Sequence, residues 1–132
     1  MIHWLIDTNT IIALLKGSSP TLLERIKAQK PEEFGLSVIV YHELIYGATK
    51  SAKPEQNRAM IEAMAFPLVP FEAIDAHAAG LIRGQLAKEG TPIGPLDVMI
   101  AGQALARDLV LLTDNGREFS RVKGLQQENW LR

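Results

Sequence analysis

Acidic side chains at widely separated positions carry the chemistry of this chain. Asp7 ends the short apolar run Trp4-Leu5-Ile6, and Glu43 sits in the otherwise apolar stretch from Val38 to Thr49. Asp97 follows the rigid connector Thr91-Pro92-Ile93-Gly94-Pro95. Thr113-Asp114-Asn115 follows a second apolar run, Leu109 to Leu112, with Glu118 shortly after it. Carboxylates gathered in one place repel one another unless a cation neutralises them. An all-oxygen donor set, with no cysteine and no histidine pair four residues apart, favours Mg²⁺ or Mn²⁺ over Zn²⁺. Such a site can activate water and stabilise an in-line displacement at phosphorus.

Each residue alone also has a plainer explanation. Asp7 reads equally well as the cap of the helix that follows it. Asp97 in a first helical turn complements the helix dipole, although Ile100 and Ala101, three and four residues on, place it on an inward face. Glu43 is the hardest to explain structurally, because Ile39, Val40, Tyr46 and Gly47 surround it and a buried carboxylate is costly without a cation. Asp114 and Asn115 serve equally as turn residues, and Glu118 as a surface charge. His42, adjacent to Glu43 and about 100° from it around a helix, reads as structural. His3 and His77 have no ligand spacing. Lys50, Arg83, Arg107 and Arg117 are the types that contact phosphate, but scattered as they are they read as solvated surface. Tyr41 and Tyr46 read as packing residues.

The elements that must position these groups follow from pattern. Trp4-Leu5-Ile6 and Leu109 to Leu112 show no alternation, as strands buried on both faces do. Thr8, Asn9 and Thr10 are good cap types before a helix through Leu15, which Gly17 stops. Further helices are expected over Thr21–Lys30, Val38–Thr49, Glu55–Ala65, Ala73–Glu89 and Leu96–Arg107. In the fifth of these six helices Ile74, Ala78, Leu81, Ile82 and Leu86 are expected to form the buried face. Phe34-Gly35-Leu36-Ser37 reads as a strand whose last residue caps the next helix. Pro67 and Pro70 confine the strand between them to a sheet edge, and a last strand is expected around Gln126 to Trp130. Strands separated by helices predict a single α/β domain over residues 1–132, with a mostly parallel sheet of four or five strands flanked by helices. Side chains at strand ends that lead into helices lie where open α/β sheets place their ligands.

Composition narrows the class. The chain has 132 residues, 47% hydrophobic and 22% charged, which is ordinary for a globular protein. A net charge of −1 does not advertise a nucleic-acid binder, although an acidic site and a basic rim can cancel in the sum. There is no cysteine, no basic signal-like start and no apolar run long enough to span a bilayer, so a cytoplasmic protein is expected.

Four motifs in series, Leu5-Ile6-Asp7-Thr8-Asn9, Glu43-Leu44-Ile45-Tyr46-Gly47, Ile93 to Gly102 around Asp97, and Leu111-Leu112-Thr113-Asp114-Asn115-Gly116-Arg117-Glu118-Phe119, span nearly the whole chain. In order and spacing it resembles the PIN-domain ribonucleases, and more narrowly the VapC toxins of bacterial toxin–antitoxin pairs. The resemblance implies a PIN-like three-layer sandwich and an endoribonuclease dependent on Mg²⁺ or Mn²⁺. In that mechanism an activated water attacks an RNA phosphodiester. By position Asp7, Glu43 and Asp97 match the family's three acidic metal-site residues. The fourth acidic position falls on Asn115, an amide, so Asp114 or Glu118 is left to supply that charge. Thr8, Asn9 and Thr113 match residues that orient carboxylates or water. The subgroup with Glu-Leu-Ile-Tyr-Gly and Gly-Pro-Leu-Asp is similar to toxins that cut initiator tRNA in the anticodon loop. The resemblance further implies a homodimer and a VapB-like antitoxin whose C-terminal segment occludes the acidic cleft.

Three alternatives compete with it. A phospho-acceptor receiver module also gathers carboxylates and Mg²⁺ at strand ends, but it would carry a strand-end lysine and has no counterpart of Glu43. A phosphatase-type hydrolase would want Asp-x-Asp, where this chain has Asn9. A PIN-like domain with weakened catalysis, acting mainly as an interaction module, is compatible with Asn115, though the carboxylates that remain argue against it.

Overall fold

Both unalternating apolar runs become central strands. The computed structural model describes all residues, 1–132. In chain order the elements are β1 (Trp4–Ile6), α1 (Thr8–Lys16), α2 (Pro20–Lys27), β2 (Phe34–Ser37), α3 (Val38–Thr49), α4 (Pro54–Glu62), β3 (Leu68–Val69), α5 (Ala73–Lys88), α6 (Pro95–Ala106), β4 (Val110–Leu112), α7 (Gly116–Phe119) and β5 (Gln127–Glu128). The five strands form one sheet in the order β3-β2-β1-β4-β5, and every pairing is parallel, with Leu5 opposite both Gly35 and Leu111. The sheet is thus wholly parallel with five strands, and the proline-flanked β3 lies at an edge as expected.

The strand order fixes where a ligand crevice opens. From β1 the chain winds outward through β2 and β3, then returns to the other side of β1 for β4 and β5. The neighbouring strands β1 and β4 therefore flank the point where the winding reverses, the place at which doubly wound sheets bind ligands beyond their carboxyl ends. Asp7 and Thr113 are the first residues past those two ends.

Packing concentrates at the opposite end and along the helices. Trp4 stacks on Phe34 with ring centroids 5.1 Å apart, and Trp130 meets both edge-on. The helix α6 is buried nearly all round, through Val98, Ile100, Ala101, Gly102, Gln103 and Ala104. It crosses α5 so closely that a Cβ on Gly102 would stand 2.6 Å from the backbone nitrogen of Ala79. Only glycine permits that approach. No helix is long and apolar enough to cross a membrane.

The buried face of α5 differs from the expected one. Asp75, Ala79, Ile82 and Leu86 face inward, whereas Ile74 and Leu81 are 58% and 64% exposed. A carboxylate defeats the periodicity here because a cation comes to it from another element. The Arg107 guanidinium donates to Asp75 through Nε at 2.9 Å and Nη2 at 2.8 Å. It also reaches Glu72 Oε1 and the Pro70 carbonyl, both at 3.0 Å. Arg107 is thus committed to the fold, not free for phosphate. Burial pushes the Asp75 carboxyl up, but the Arg107 hydrogen bonds and charge, with the Glu72 N–H, hold it below its usual value. Removing one partner of such a pair strands a buried charge, so Arg107→Ala is expected to cost about 3 kcal/mol near pH 7. The Asp75 pKa is depressed in the fold, so the pair stabilises above the unfolded carboxylate value near 4 and loses that contribution as pH falls through the folded value. Urea denaturation at pH 7 and at pH 3.5 should show a deficit that shrinks in acid; equal stability of variant and parent at pH 7 would refute the pairing.

Remaining differences are at element ends. The helices α2 and α4 each start at a proline in the first turn and stop about three residues early, and the short α7 was not expected. Proline in a first turn is favourable because its missing N–H would have had no partner there.

Candidate active site

The site is assembled from strand ends and helix starts around the β1/β4 crevice. Asp7 caps α1: its Oδ1 accepts from the Thr10 N–H at 2.9 Å. Its other oxygen, Oδ2, accepts from the Thr113 hydroxyl at the end of β4. The capping role and a site role are therefore compatible, because the cap orients the carboxylate that it uses. Asp7 is only 6% exposed. Burial pushes its carboxyl above the ordinary value; the Thr113 and Thr10 hydrogen bonds pull it back, and the Asp114 charge adds to the rise.

Glu43 arrives from α3. The Thr8 hydroxyl in the first turn of α1 donates to its Oε1 at 2.8 Å. Asp97, in the first turn of α6, is partly buried and pushed up to about 6, first by burial, then by its hydrogen bond to Glu118 and the charges of Glu118, Glu43 and Asp7. The other three carboxylates are thus all near enough for their charges to act on Asp97. Glu118 is the fixed member of the pair with Asp97. Its Oε1 accepts the Gly94 N–H at 3.0 Å, and its Oε2 accepts from the Asn115 amide at 3.0 Å. These two donors hold Glu118 below its usual value, so as pH falls Asp97 takes up a proton before Glu118 does.

The candidates from sequence thus separate into groups. Asp7, Glu43, Asp97 and Glu118 converge. Asn115 joins as the amide that holds Glu118, while its own backbone N–H donates to the Thr113 hydroxyl at 2.9 Å. Asp114 is exposed and acts on Asp7 through its charge. Thr8 and Thr113 orient carboxylates as the resemblance implied, whereas Asn9 is exposed. His42 is exposed too, beside the site and not within it. Sequence reasoning missed Gly94, whose N–H anchors Glu118. The Gly-Pro pair opening α6 was the available sign.

These side chains fit a hard divalent cation in donor chemistry, being all oxygen, and in charge, since of the four carboxylates only Glu118 feels a nearby cation, Arg121. They do not stand as a closed cage: no three acidic or histidine side chains are drawn tightly enough together to hold a metal as they are. Beside Glu43 a cleft of about 340 Å³ opens between α1, α3 and α4, walled by Ile12, Leu15, Leu44, Ala48, Met60 and Ile61.

Comparison with known proteins agrees with this geometry. The PIN-domain family model matches residues 4–125. The chain is 40% identical to the tRNA(fMet)-specific endonuclease VapC of Shigella flexneri, over 98% of this chain and 99% of that protein. It is 41% identical to the protein of the same name from Salmonella typhimurium, with the same coverage. Among solved structures it superposes on DNA-bound VapBC from Salmonella typhimurium with a TM-score of 0.93 at 40% identity, covering 98% of this chain and 99% of that one. VapBC2 from Rickettsia felis, bound to a promoter DNA fragment, gives a TM-score of 0.90 at 31% identity, again over 98% and 99%. PIN-domain ribonucleases generally depend on a divalent metal. With matches of this extent and a sheet, crevice and acidic cluster of this kind, the chain belongs to the PIN-domain family and, within it, to the VapC ribonucleases.

Proposed function

We propose that this chain is an endoribonuclease toxin that uses Mg²⁺ or Mn²⁺ to hydrolyse a phosphodiester in tRNA, with the initiator tRNA anticodon loop as its target. The observation that carries the proposal is the approach of Glu43, Asp7 and Glu118 to Asp97 at the sheet's switch point, close enough for all three charges to act on it. Asp7, Glu43 and Asp97 would hold the cation. Bound there, it would neutralise the carboxylates, polarise the phosphodiester and acidify a water. Thr113 and Thr8 keep Asp7 and Glu43 aimed, and the Asn115 amide with the Gly94 N–H keeps Glu118 ionised beside Asp97. Glu118 thereby supplies the charge that Asn115 lacks, which disfavours a domain that has lost its chemistry.

The toxin acts in the cytoplasm, where its tRNA substrate resides. It pairs with a cognate VapB-like antitoxin whose C-terminal segment occludes the acidic cleft, an arginine being the natural counter-ion. The exposed Met60 beside the cleft supports an apolar segment lying there. Homodimerisation is supported by Ile74 and Leu81, which α5 leaves exposed two turns apart.

Incubating the purified chain with total tRNA and Mn²⁺, and mapping the 5′ ends of the fragments, tests the proposal. One dominant cut in the anticodon loop of initiator tRNA is expected. Cuts only in other RNAs would refute the target, and no cuts at all would refute the activity.

A further inference from the structure

We propose that Tyr46, on the rim of α3, and Lys50, which caps the C-terminus of that helix, form the platform on which an unpaired base and a phosphate of the substrate RNA are held; this rests on the ribonuclease activity proposed above. Both residues were expected to be ordinary, Tyr46 as packing and Lys50 as solvated surface. The structure separates the two tyrosines: Tyr41 packs against the core, whereas Tyr46 is 60% exposed. Among all the Phe, Tyr and Trp residues of the chain, Tyr46 alone is exposed. No other aromatic ring stacks on it, and the Lys50 ammonium lies 4.6 Å from its ring centroid.

Position gives the pair its meaning. Tyr46 and Lys50 follow Glu43 by three and seven residues, so both project within about 60° of it around the helix axis. Tyr46 stands one turn from Glu43, about 5 Å along the axis. A carboxylate, an aromatic ring and a cation thus run in that order along one edge, starting at the acidic cluster. A cation in that cluster would engage only the scissile phosphate, so the rest of the RNA must be held by groups beside it. Lys50 is paired with no carboxylate, unlike Arg107, Arg25 and Lys123, and its charge is available to a phosphate. An exposed ring offers a stacking face to any base, and stacking tolerates sequence differences. A protein partner would also cover an exposed tyrosine, but a cation held over the ring favours a polyanion.

Steady-state cleavage of an RNA anticodon stem-loop with Mn²⁺, by the full chain and by Tyr46→Phe, Tyr46→Leu and Lys50→Gln, tests the platform. Tyr46→Leu is expected to raise KM about ten-fold with kcat unchanged, the loss of one stacked base. Tyr46→Phe keeps the ring and should behave as the parent. Lys50→Gln should raise KM and flatten its dependence on salt by about one charge. An unchanged KM in Tyr46→Leu overturns the platform. So does an unchanged KM joined to weaker inhibition by the cognate antitoxin, which would assign the ring to the protein partner. If the parent chain cleaves no RNA, the ribonuclease activity itself fails and the platform with it; an active parent indifferent to Tyr46 sinks the platform alone.

Discussion

Asp97→Asn is expected to lower RNA cleavage about a thousand-fold or more and, in the same protein, to raise the stability of the cation-free fold at neutral pH. The two effects have one cause. Asp97 is partly buried and held near Glu118, Glu43 and Asp7, and burial first, then these neighbours, push its carboxyl from 3.8 to about 6. A carboxyl whose pKa is raised in the fold favours folding when protonated. Its contribution is therefore fully present below about pH 4 and is lost as pH rises through about 6. At pH 7.5 the cation-free protein carries the cost of that desolvated charge and of its repulsion by its neighbours. Taken at full value the shift corresponds to about 3 kcal/mol. Asp97 is partly open to water, which screens the repulsion, so about 1 kcal/mol is the realistic gain for the amide. For a chain of this size that is a Tm increase of roughly 3 to 5 °C. Thermal melts in EDTA should show Asp97→Asn above the parent at pH 7.5 and level with it at pH 4. A variant that loses activity because it unfolds would fall below the parent at both.

Removing the cation should have an effect as large, without any mutation. EDTA is expected to reduce cleavage to background, and Mg²⁺ or Mn²⁺ in excess to restore it. Binding to the folded state alone also stabilises it by mass action. The parent should therefore melt at a higher temperature in Mn²⁺ than in EDTA at pH 7.5, where the carboxylates are ionised. The increment should fade in acid, as protons compete for Asp97. Asp7→Asn should lose both the activity and the increment. Cleavage that persists in EDTA would exclude a divalent-metal mechanism.

Much of this was legible in the residues. The unalternating runs at Trp4–Ile6 and Leu109–Leu112 located both central strands, because burial on both faces removes the polar half of the pattern. The acidic residues at or beyond their ends then followed from the general habit of open α/β sheets. Other features were not legible, for physical reasons. Asp75 lies on the buried face of α5 because Arg107, over thirty residues away, reaches it; no local pattern records such a partner. Ile74 and Leu81 follow helical spacing yet face outward, since periodicity finds an apolar stripe without saying what covers it. Which residue takes the fourth acidic place was undecidable from spacing alone. The Gly94 N–H and the Asn115 amide both meet Glu118, contacts made only once α6 and α7 are docked, and they are what favours Glu118 in the function proposed above. Tyr46 was misread because helical propensity and apolar neighbours do not distinguish the rim of a helix from its core.

The most direct test of the acidic pocket is to locate Mn²⁺ by its anomalous scattering in crystals of the parent chain grown at neutral pH. The account predicts a peak in the β1/β4 crevice with oxygens of Asp7 and Asp97 at roughly 2.2 Å and Glu43 within reach of the same ion or its waters. A peak elsewhere on the molecule, with that crevice empty at saturating Mn²⁺, would contradict it.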